Sequence, residues 1–392
     1  MLNGLRTCIV LLLLSCWAHG AGTQSTAPVV IGLSAEFGVK GSQAAQSIEK
    51  GIRLAIREVN AAGGLLGGRM LALEARDDRG VPARGIDNFK ELSGIPDLVA
   101  VFCGRFSPVA LEVAPLANQQ GLLLLDPWAA ADGITRQAEP NFVFRLSLTD
   151  SWAIDAMLDH VAQRKLRKLA LFVPNTGWGR SSEAAVADYV QGHPDMSSET
   201  SWYNWGDTDF SARIADVRRR GAQALMMVAN EAEGSLIVRQ MAELPPAQRL
   251  PIISHWGVLG GDFRAVTGDA IDQVDLVVVH TFSYAGKHSA KAQRVAGDAA
   301  RLFGIEVRNL HGLVGFAHAY DLTHLLALAI SRAGSTDRNA IRIALGQVER
   351  YDGLVRNYKN PFGPGDQEAL DRNQVVLGRY DKQGHLKPLT TK

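Results

Sequence analysis

The sequence predicts an α/β protein with two lobes, each built on a doubly wound parallel sheet that carries helices on both faces. From residue 29 onward, short apolar runs alternate with longer amphipathic stretches, and the connections between them are short. The same cycle starts again after residue 146, which indicates an internal duplication of the fold. The chain has 392 residues, 46% of them hydrophobic, and this exceeds what one compact domain of ordinary size requires.

The first half of the chain begins with a buried strand and an amphipathic helix. In the predicted helix over residues 47–60, Ile48, Ile52 and Val59 share one face, and the glycine pair that follows ends the helix. The strands expected in this half are residues 29–34, 70–75, 97–102 and 122–125. The helices expected between them are residues 47–60, 83–92 and 108–119.

The second half repeats the alternation and ends with a longer helical region. Its expected strands are residues 168–173, 200–203, 224–228, 251–254 and 275–279. Its expected helices are residues 152–164, 180–191, 210–220 and 234–243. A long amphipathic helix is predicted over residues 317–333, a further one over 338–345, and a strand-like run over 374–380.

The charge and the cysteine content exclude several classes of protein. Lys and Arg number 41 and Asp and Glu 40, so nothing indicates a nucleic-acid or anionic-membrane partner, which requires a surplus of basic residues. Of the 3 cysteines, two lie in the N-terminal segment, and Cys103 follows an apolar run. No disulfide framework or cysteine-rich metal site is therefore expected, and Cys103 is predicted to be a buried thiol at the end of a strand.

Residues 1–20 are predicted to be a signal peptide. The apolar run over residues 8–14 is too short to span a bilayer, which requires roughly 20 apolar residues. Ala18 and Gly20 are small residues at the −3 and −1 positions of a cut before Ala21. Lipoprotein processing at Cys16 is the second interpretation, although Leu14 is atypical at the middle position of that motif. Both interpretations predict an exported, periplasmic protein.

Several segments, taken in their order and spacing, resemble the leucine/isoleucine/valine-binding protein family, the type I periplasmic solute-binding proteins of ABC importers. The resemblance covers nearly all of the chain after the leader. The residues that carry it are 30–34, 51–68, Asp77-Asp78, 114–117, 126–130, 315–333 with Tyr320-Asp321, and Tyr351-Asp352-Gly353. It implies the type I fold with three crossovers between the lobes. It also implies a first lobe of residues 28–146 and 280–350 and a second lobe of residues 147–279 and 351–392.

The resemblance further implies a ligand site at the carboxyl ends of the strands, where doubly wound sheets bind their ligands. Family members hold an amino-acid carboxylate with a Ser at a helix N-terminus, and Ser107 matches that Ser directly before Pro108. Free N–H groups and the helix dipole attract an anion at such a position. The alternative is that Ser107 only caps the helix, which is the commoner role of such a residue.

Two further ligand-binding segments of the family, a Pro-x-Ala-Thr turn and an aromatic residue that covers the ligand, have counterparts in this sequence. The Pro-x-Ala-Thr turn of the family, which contributes backbone and hydroxyl contacts, matches residues 127–130 with Trp128 and Ala129, but Ala130 replaces the Thr. The aromatic residue that covers the ligand from the second lobe falls on Trp178, in a glycine-rich loop. The alternative for Trp178 is packing against its own lobe.

The largest departure from the family concerns the Glu that binds the ligand's ammonium group, because Trp256 stands at its position. Glu231, next to Asn230, could supply a carboxylate from the neighbouring loop, or it could be a solvated residue in the first turn of a helix. His255 could bind the ligand or be a structural side chain. We therefore expect a ligand with a polar or anionic end and an apolar body, and not an ordinary branched-chain amino acid held in the usual way.

The predicted function is that of an exported substrate-binding protein that closes around a small organic solute, either an amino acid, an amide or an aromatic acid. Its expected partners are the permease, contacted directly, and the ATPase of an ABC importer. No cofactor, metal or enzymatic activity is expected, because the sequence shows no phosphate-binding loop, nucleophile elbow or zinc-site spacing. The alternative is a ligand sensor that works with a membrane partner, since no apolar run after the leader is expected to span a membrane.

Overall fold

The computed structural model describes residues 27–285 and 288–389 of the chain. The predicted signal peptide, its cleavage site and Cys16 lie outside the described residues. Cys103 is a free, buried cysteine at the end of a strand, in agreement with the prediction.

The first lobe contains a five-stranded parallel sheet with the strand order β2-β1-β3-β4-β5. Its strands are β1 (Val29–Ala35), β2 (Leu71–Asp77), β3 (Leu98–Cys103), β4 (Leu123–Asp126) and β5 (Val143–Arg145). Its helices are α1 (Ala44–Ala61), α2 (Pro82–Ser93) and α3 (Ser107–Gln120). Every residue of β1, β3, β4 and β5 is buried, because helices cover both faces of the sheet.

The second lobe starts with α4 and continues the same alternation. Its helices are α4 (Asp150–Gln163), α5 (Gly177–Gln191), α6 (Ser211–Arg219), α7 (Glu231–Ala242) and the short α8 (Phe263–Thr267). The strands between these helices are β6 (Lys168–Pro174), β7 (Ser197–Tyr203), β8 (Ala224–Met227), β9 (Ile252–Ser254) and β10 (Leu276–His280). All five strands are parallel to their neighbours in this set.

After β10 the chain forms further helices and hairpins. These are α9 (Ala290–Phe303), α10 (Leu313–Ala333), α11 (Arg338–Leu345), β11 (Arg350–Asp352), β12 (Asn357–Lys359), β13 (Val376–Tyr380) and β14 (Leu386–Pro388). Helix α10 packs against α1 of the first lobe, whereas β13 and β14 extend the second sheet in antiparallel orientation. That sheet has seven strands in the order β14-β13-β10-β9-β8-β6-β7. The chain thus crosses between the lobes three times, after β5, after β10 and before β13.

The segment between α11 and β13 lies against elements of the first lobe. The backbone N–H of Leu354 donates to Asp321 Oδ1 of α10 at 2.6 Å, and Tyr358 Oη donates to Asp321 Oδ2 at 2.9 Å. Farther along, Glu368 forms an ion pair with the buried Arg145 at the end of β5. The chain first pairs with the second sheet at Val376. The domain boundary between residues 350 and 351 stays a prediction.

Helix α10 is long and apolar enough, by length and composition, to cross a membrane. The expectation that no segment after the leader is long and apolar enough to span a membrane was therefore wrong, since α10 has 21 residues. The helix is mostly buried in the fold because it packs between α1 and α11. The core helices of globular folds pass the same test, so the finding is weak evidence for a membrane span.

Candidate ligand-binding cleft

The loops at the carboxyl ends of both sheets meet in a crevice between the lobes. Its walls enclose a cavity of about 10 Å³, which is about the space that one water molecule needs. The residues that line it are Arg105, Phe106, Ser107, Pro108, Trp128, Ala130, Trp178, Asn230, Trp256 and Gly257. Six of the predicted site residues are among them, and Ala129, Glu231 and His255 are not. A cavity of this size is too small for an organic solute.

Aromatic side chains from both lobes face each other across this crevice. The ring centroids of Trp128 and Trp256 lie 5.8 Å apart, and both side chains are buried. Phe106 contacts Trp205, which follows β7 in the second lobe, with a centroid distance of 5.1 Å. Such tilted pairs hold the two lobes together through apolar contact.

Trp178 lies in the first turn of α5 and is 6% exposed. Its indole Nε1 donates to Asp150 Oδ1 at 3.0 Å, so the polar end of the ring is satisfied within the second lobe. The ring contributes an apolar surface to the cavity. Both predicted alternatives for Trp178, packing on its own lobe and lining the cleft, are therefore compatible with this geometry.

Ser107 is the first residue of α3, and the preceding Phe106 is the N-cap, without a side-chain capping bond. The hydroxyl of Ser107 instead accepts the backbone N–H groups of Ala130 at 3.1 Å and Ala131 at 3.2 Å. The alternative that Ser107 only caps the helix is thus wrong. A hydroxyl that accepts two bonds still has one O–H group to donate. Ser107 therefore fixes the loop after β4 and keeps a donor in the wall of the cavity.

Two predicted residues lie behind the wall of the cavity. Ala129 donates its N–H to Asp126 Oδ1 at 2.7 Å, and its carbonyl oxygen accepts from Arg145 at 3.2 Å. His255 is fully buried, and its Nδ1 accepts the N–H of Trp256 at 2.9 Å. Its Nε2 therefore carries the proton and lies 3.1 Å from Asp150 Oδ1. These residues support the lining tryptophans and do not touch the cavity.

The carboxylate of Glu231 does not line the cavity because Arg105 binds it. Arg105 Nη1 donates to Glu231 Oε2 at 2.7 Å and Nη2 donates to Oε1 at 3.0 Å, which is the bidentate geometry of a strong ion pair. Glu231 is the first residue of α7, and it is buried. The alternative that Glu231 is a solvated residue is therefore wrong, and its partner comes from the opposite lobe.

Arg105 was not predicted as a site residue, although it stands two residues before Ser107 in the loop after β3. A charged residue at the carboxyl end of a buried strand was the signal available in the sequence. Glu36, at the end of β1, lies beneath it, with Oε1 at 3.5 Å from Arg105 Nε. Burial raises the pKa of Glu36 to about 7, although the charge of Arg105 acts in the opposite direction.

Asn230 completes the cavity from the second lobe. It is the N-cap of α7, and its side chain makes no capping bond to the helix. Within residues 27–285 and 288–389, its amide group forms no hydrogen bond to protein, and it is 8% exposed. The crevice therefore offers a hydroxyl, an amide and aromatic faces to whatever it encloses.

The fold and the sequence match those of known binding proteins. A sequence profile of the family described as periplasmic binding protein matches residues 28–376. The Leu/Ile/Val-binding protein homolog 1 of Brucella abortus is 26% identical over 376 residues, which cover 93% of this chain and 90% of that protein. A periplasmic binding protein type 1 from Bordetella pertussis superposes with a TM-score of 0.81 at 20% identity and covers 92% of this chain and 100% of its own.

A further solved structure is that of a solute-binding protein of an ABC transporter from R. palustris in complex with benzoate. It superposes with a TM-score of 0.75 at 17% identity, and the match covers 93% of this chain and 96% of that one. The relatives and structural neighbours thus include a protein named as a Leu/Ile/Val-binding protein homolog and a solute-binding protein that holds benzoate. Since the family profile spans almost all described residues and the lobes have the matching topology, the chain belongs to the periplasmic binding proteins, in the Leu/Ile/Val-binding family.

Proposed function

We propose that this protein is the exported substrate-binding protein of an ABC importer, and that it encloses a small solute with a flat, unsaturated body and a polar or carboxylate end. The solute binds between the lobes, and the closed complex docks on the permease. The protein performs no chemistry on the solute.

The observation that carries the proposal is the set of aromatic side chains that line the crevice between the lobes. Trp128 and Phe106 come from the first lobe, and Trp178 and Trp256 from the second. Flat rings stack well on such faces, and each ring buries a large apolar area. An aromatic acid or amide inserted between Trp128 and Trp256 would contact both lobes and stabilise the closed form.

The polar end of the solute is expected near Ser107. Its hydroxyl oxygen accepts the N–H groups of Ala130 and Ala131, and its own O–H can donate to a ligand oxygen. The amide of Asn230 approaches from the other lobe. Because the Ser107 hydroxyl and the Asn230 amide can both donate, they suit a carboxylate or an amide oxygen.

The same lining disfavours a branched-chain amino acid. A buried ammonium group requires a charged or well-placed polar partner, since an unpaired buried charge costs several kcal/mol. Trp256 offers a ring at the position of the family's carboxylate, and Glu231 is bound to Arg105. An aromatic acid has no ammonium group and therefore requires no such partner.

A thermal-shift screen, followed by calorimetry, tests the proposal. The panel is benzoate, 3-phenylpropanoate, benzamide, L-phenylalanine, L-leucine and urea. A ligand at a hundredfold excess over its Kd stabilises the protein by about 2.7 kcal/mol. We expect aromatic acids or amides to bind stoichiometrically and to be recovered unchanged. Tight binding of L-leucine without binding of any aromatic probe, or consumption of a probe by the pure protein, would contradict the proposal.

The placement of Ser107 is tested in the same screen. Ser107→Ala removes a donor and leaves two N–H groups without an acceptor, so we expect Kd for the best probe to rise about tenfold. Ser182→Ala is the matched control, because Ser182 is also fully buried but its hydroxyl has no hydrogen-bond partner among the described residues. An unchanged Kd in a folded Ser107→Ala protein would remove Ser107 from the site.

Export is tested by N-terminal sequencing of the protein recovered from the periplasm. A mature chain that begins at Ala21 supports signal-peptide cleavage, and one that begins at a lipid-modified Cys16 supports membrane anchoring. A cytoplasmic protein that still begins at Met1 would contradict the transport proposal.

A further inference from the structure

Arg105 connects the two lobes through buried polar bonds at the edge of the cavity. Besides the bidentate pair with Glu231, its Nη1 donates to the carbonyl oxygen of Gly257 at 3.1 Å. Its guanidinium carbon lies 5.0 Å from the centroid of the Phe106 ring, and its side chain is 3% exposed. The residues that accept hydrogen bonds from its Nη1 and Nη2 atoms, Glu231 and Gly257, both belong to the second lobe.

The second lobe forms a pocket of glycines around the guanidinium group. A Cβ atom at Gly260 would lie 1.8 Å from Arg105 Nη1, and one at Gly261 would lie 3.3 Å from Glu231 Cγ. The same loop accepts a hydrogen bond from the first lobe, because the N–H of Gln43 donates to the carbonyl of Gly260 at 2.7 Å. A side chain at Gly260 would prevent this approach, so the loop fits an arginine from the opposite lobe.

The charges around Arg105 are already balanced. Glu231 neutralises it from the second lobe, and Glu36 lies beneath it in the first lobe. Asp150, another buried carboxylate near the cleft, lies behind Trp178 and accepts its indole N–H. The carboxylate best placed to meet a ligand's ammonium group is therefore Glu231, and Arg105 occupies both of its oxygens.

We propose that Arg105 determines the charge selectivity of the cleft: by binding Glu231 across the lobes, it withholds the carboxylate that an α-ammonium group would need, and so excludes amino acids in favour of solutes without a cationic group. This inference rests on the proposed function, since it assumes that the solute binds between the lobes. An ammonium ligand can bind Glu231 only by displacing a bidentate guanidinium, which is the stronger partner.

The test compares two ligands that differ only in the ammonium group, L-phenylalanine and 3-phenylpropanoate. The measured quantity is the ratio of their Kd values by calorimetry. In Arg105→Ala we expect the ratio of the phenylalanine Kd to the phenylpropanoate Kd to fall at least about tenfold, because Glu231 is then free to accept the ammonium group. The double variant Arg105→Ala with Glu231→Gln is expected to restore the ratio of the unmodified protein.

Glu231→Gln is the second variant, and it answers the question even if Arg105→Ala does not fold. It leaves Arg105 without its main counter-charge, so we expect the ratio to rise, with tighter binding of phenylpropanoate. An unchanged or lower ratio in Glu231→Gln, or an unchanged ratio in a folded Arg105→Ala, overturns the inference.

A third measurement separates this inference from the proposed function. Methylammonium chloride is added to each variant, with sodium chloride at equal ionic strength as the control, and the melting temperature is measured. Methylammonium should stabilise Arg105→Ala and leave the double variant unaffected, whichever solute the protein transports. If methylammonium acts as expected but no panel compound binds, the proposed ligand class is wrong and the role of Arg105 stands. If methylammonium fails to stabilise Arg105→Ala, the inference fails by itself.

Discussion

At the scale of single residues, Trp256 gives the clearest prediction about the ligand. Its ring lies 5.8 Å from Trp128 and 5.9 Å from His318, and it is 1% exposed. If the ring stacks on an apolar ligand body, Trp256→Ala and Trp256→Glu should both raise the Kd of an aromatic acid at least about tenfold, by loss of aromatic contact. Calorimetry with benzoate or 3-phenylpropanoate measures the change. Gain of L-leucine binding in Trp256→Glu, with aromatic binding unchanged, would show that the ring only blocks an ammonium site.

His318, also a single residue, predicts a pH dependence of stability. It is fully buried, with Nδ1 2.9 Å from the carbonyl oxygen of Pro127 and Nε2 2.9 Å from Thr281 Oγ1. Burial lowers its pKa from about 6.5 to about 4. The neutral ring therefore contributes stability that is present above pH 6.5 and is lost as the pH falls from 6.5 towards 4.

The comparison with His318→Gln isolates this contribution from other groups. Burial raises the pKa values of Glu36 and Asp126 to about 7, so their protonation stabilises the folded protein over the same fall in pH. This effect is opposite to that of His318, and it is the same in the wild type and in the variant. The difference in unfolding free energy between wild type and variant should shrink by up to about 3 kcal/mol between pH 6.5 and pH 4. Urea unfolding at several pH values measures it. A difference that stays constant with pH would mean that His318 titrates normally in the folded protein.

At the scale of elements, close contact between α1 and α10 holds the long late helix against the first lobe. A Cβ atom at Gly51 would lie 2.2 Å from the carbonyl oxygen of Phe316, so the two helices meet backbone to backbone. Gly51→Ala should therefore lower the melting temperature clearly, because neither backbone can move aside. Gly297→Ala in α9 is the control, since its nearest neighbour is the flexible end of Arg301 at 3.5 Å. There, alanine should be neutral or stabilising by up to about 1 kcal/mol, from helix propensity. Equal effects of both substitutions would contradict this account.

The elements also show how far the sequence predicts the structure. The predicted helices and buried strands agree with the structure to within about four residues at each end: α11 at 338–345 and the start of β6 at Lys168 match to the residue, whereas α10 begins at Leu313 and not at residue 317. Helix α9 was not predicted, although its buried residues recur with a helical period. The pairing of β11 with β12 was not predicted either, because the short strands around Tyr351 and Tyr358 are held by Asp321, a contact distant in sequence. The Arg105–Glu231 pair escaped prediction for the same reason, because 126 residues separate its partners. Periodicity reports local burial, whereas pairs across a cleft depend on how two lobes are placed.

At the scale of the whole molecule, closure depends on a few contacts between otherwise separate lobes. The Trp128–Trp256 pair, the Arg105–Glu231 pair and the Gln43–Gly260 hydrogen bond all join residues from opposite lobes. Each lobe has its own sheet and an apolar cluster confined to that lobe, while a further cluster includes residues of both lobes. We therefore expect the contacts between the lobes to break without unfolding either sheet. We likewise expect opening and closing to be rigid-body motions about the three crossovers.

Gly260→Ala tests this description of closure. The added Cβ would lie 1.8 Å from Arg105 Nη1, and Arg105 cannot move away without losing its bonds to Glu231 and Gly257. We expect far-ultraviolet circular dichroism to stay unchanged, while the saturated variant keeps a larger radius of gyration in small-angle scattering than the saturated wild type. Gly192→Ala, at the end of α5 with its nearest neighbour at 3.5 Å, is the control and should contract like the wild type. Because the proposed function couples ligand binding to closure, Gly260→Ala should also raise the ligand's Kd. If it contracts and binds as the wild type does, the glycine loop is not what admits Arg105 across the cleft.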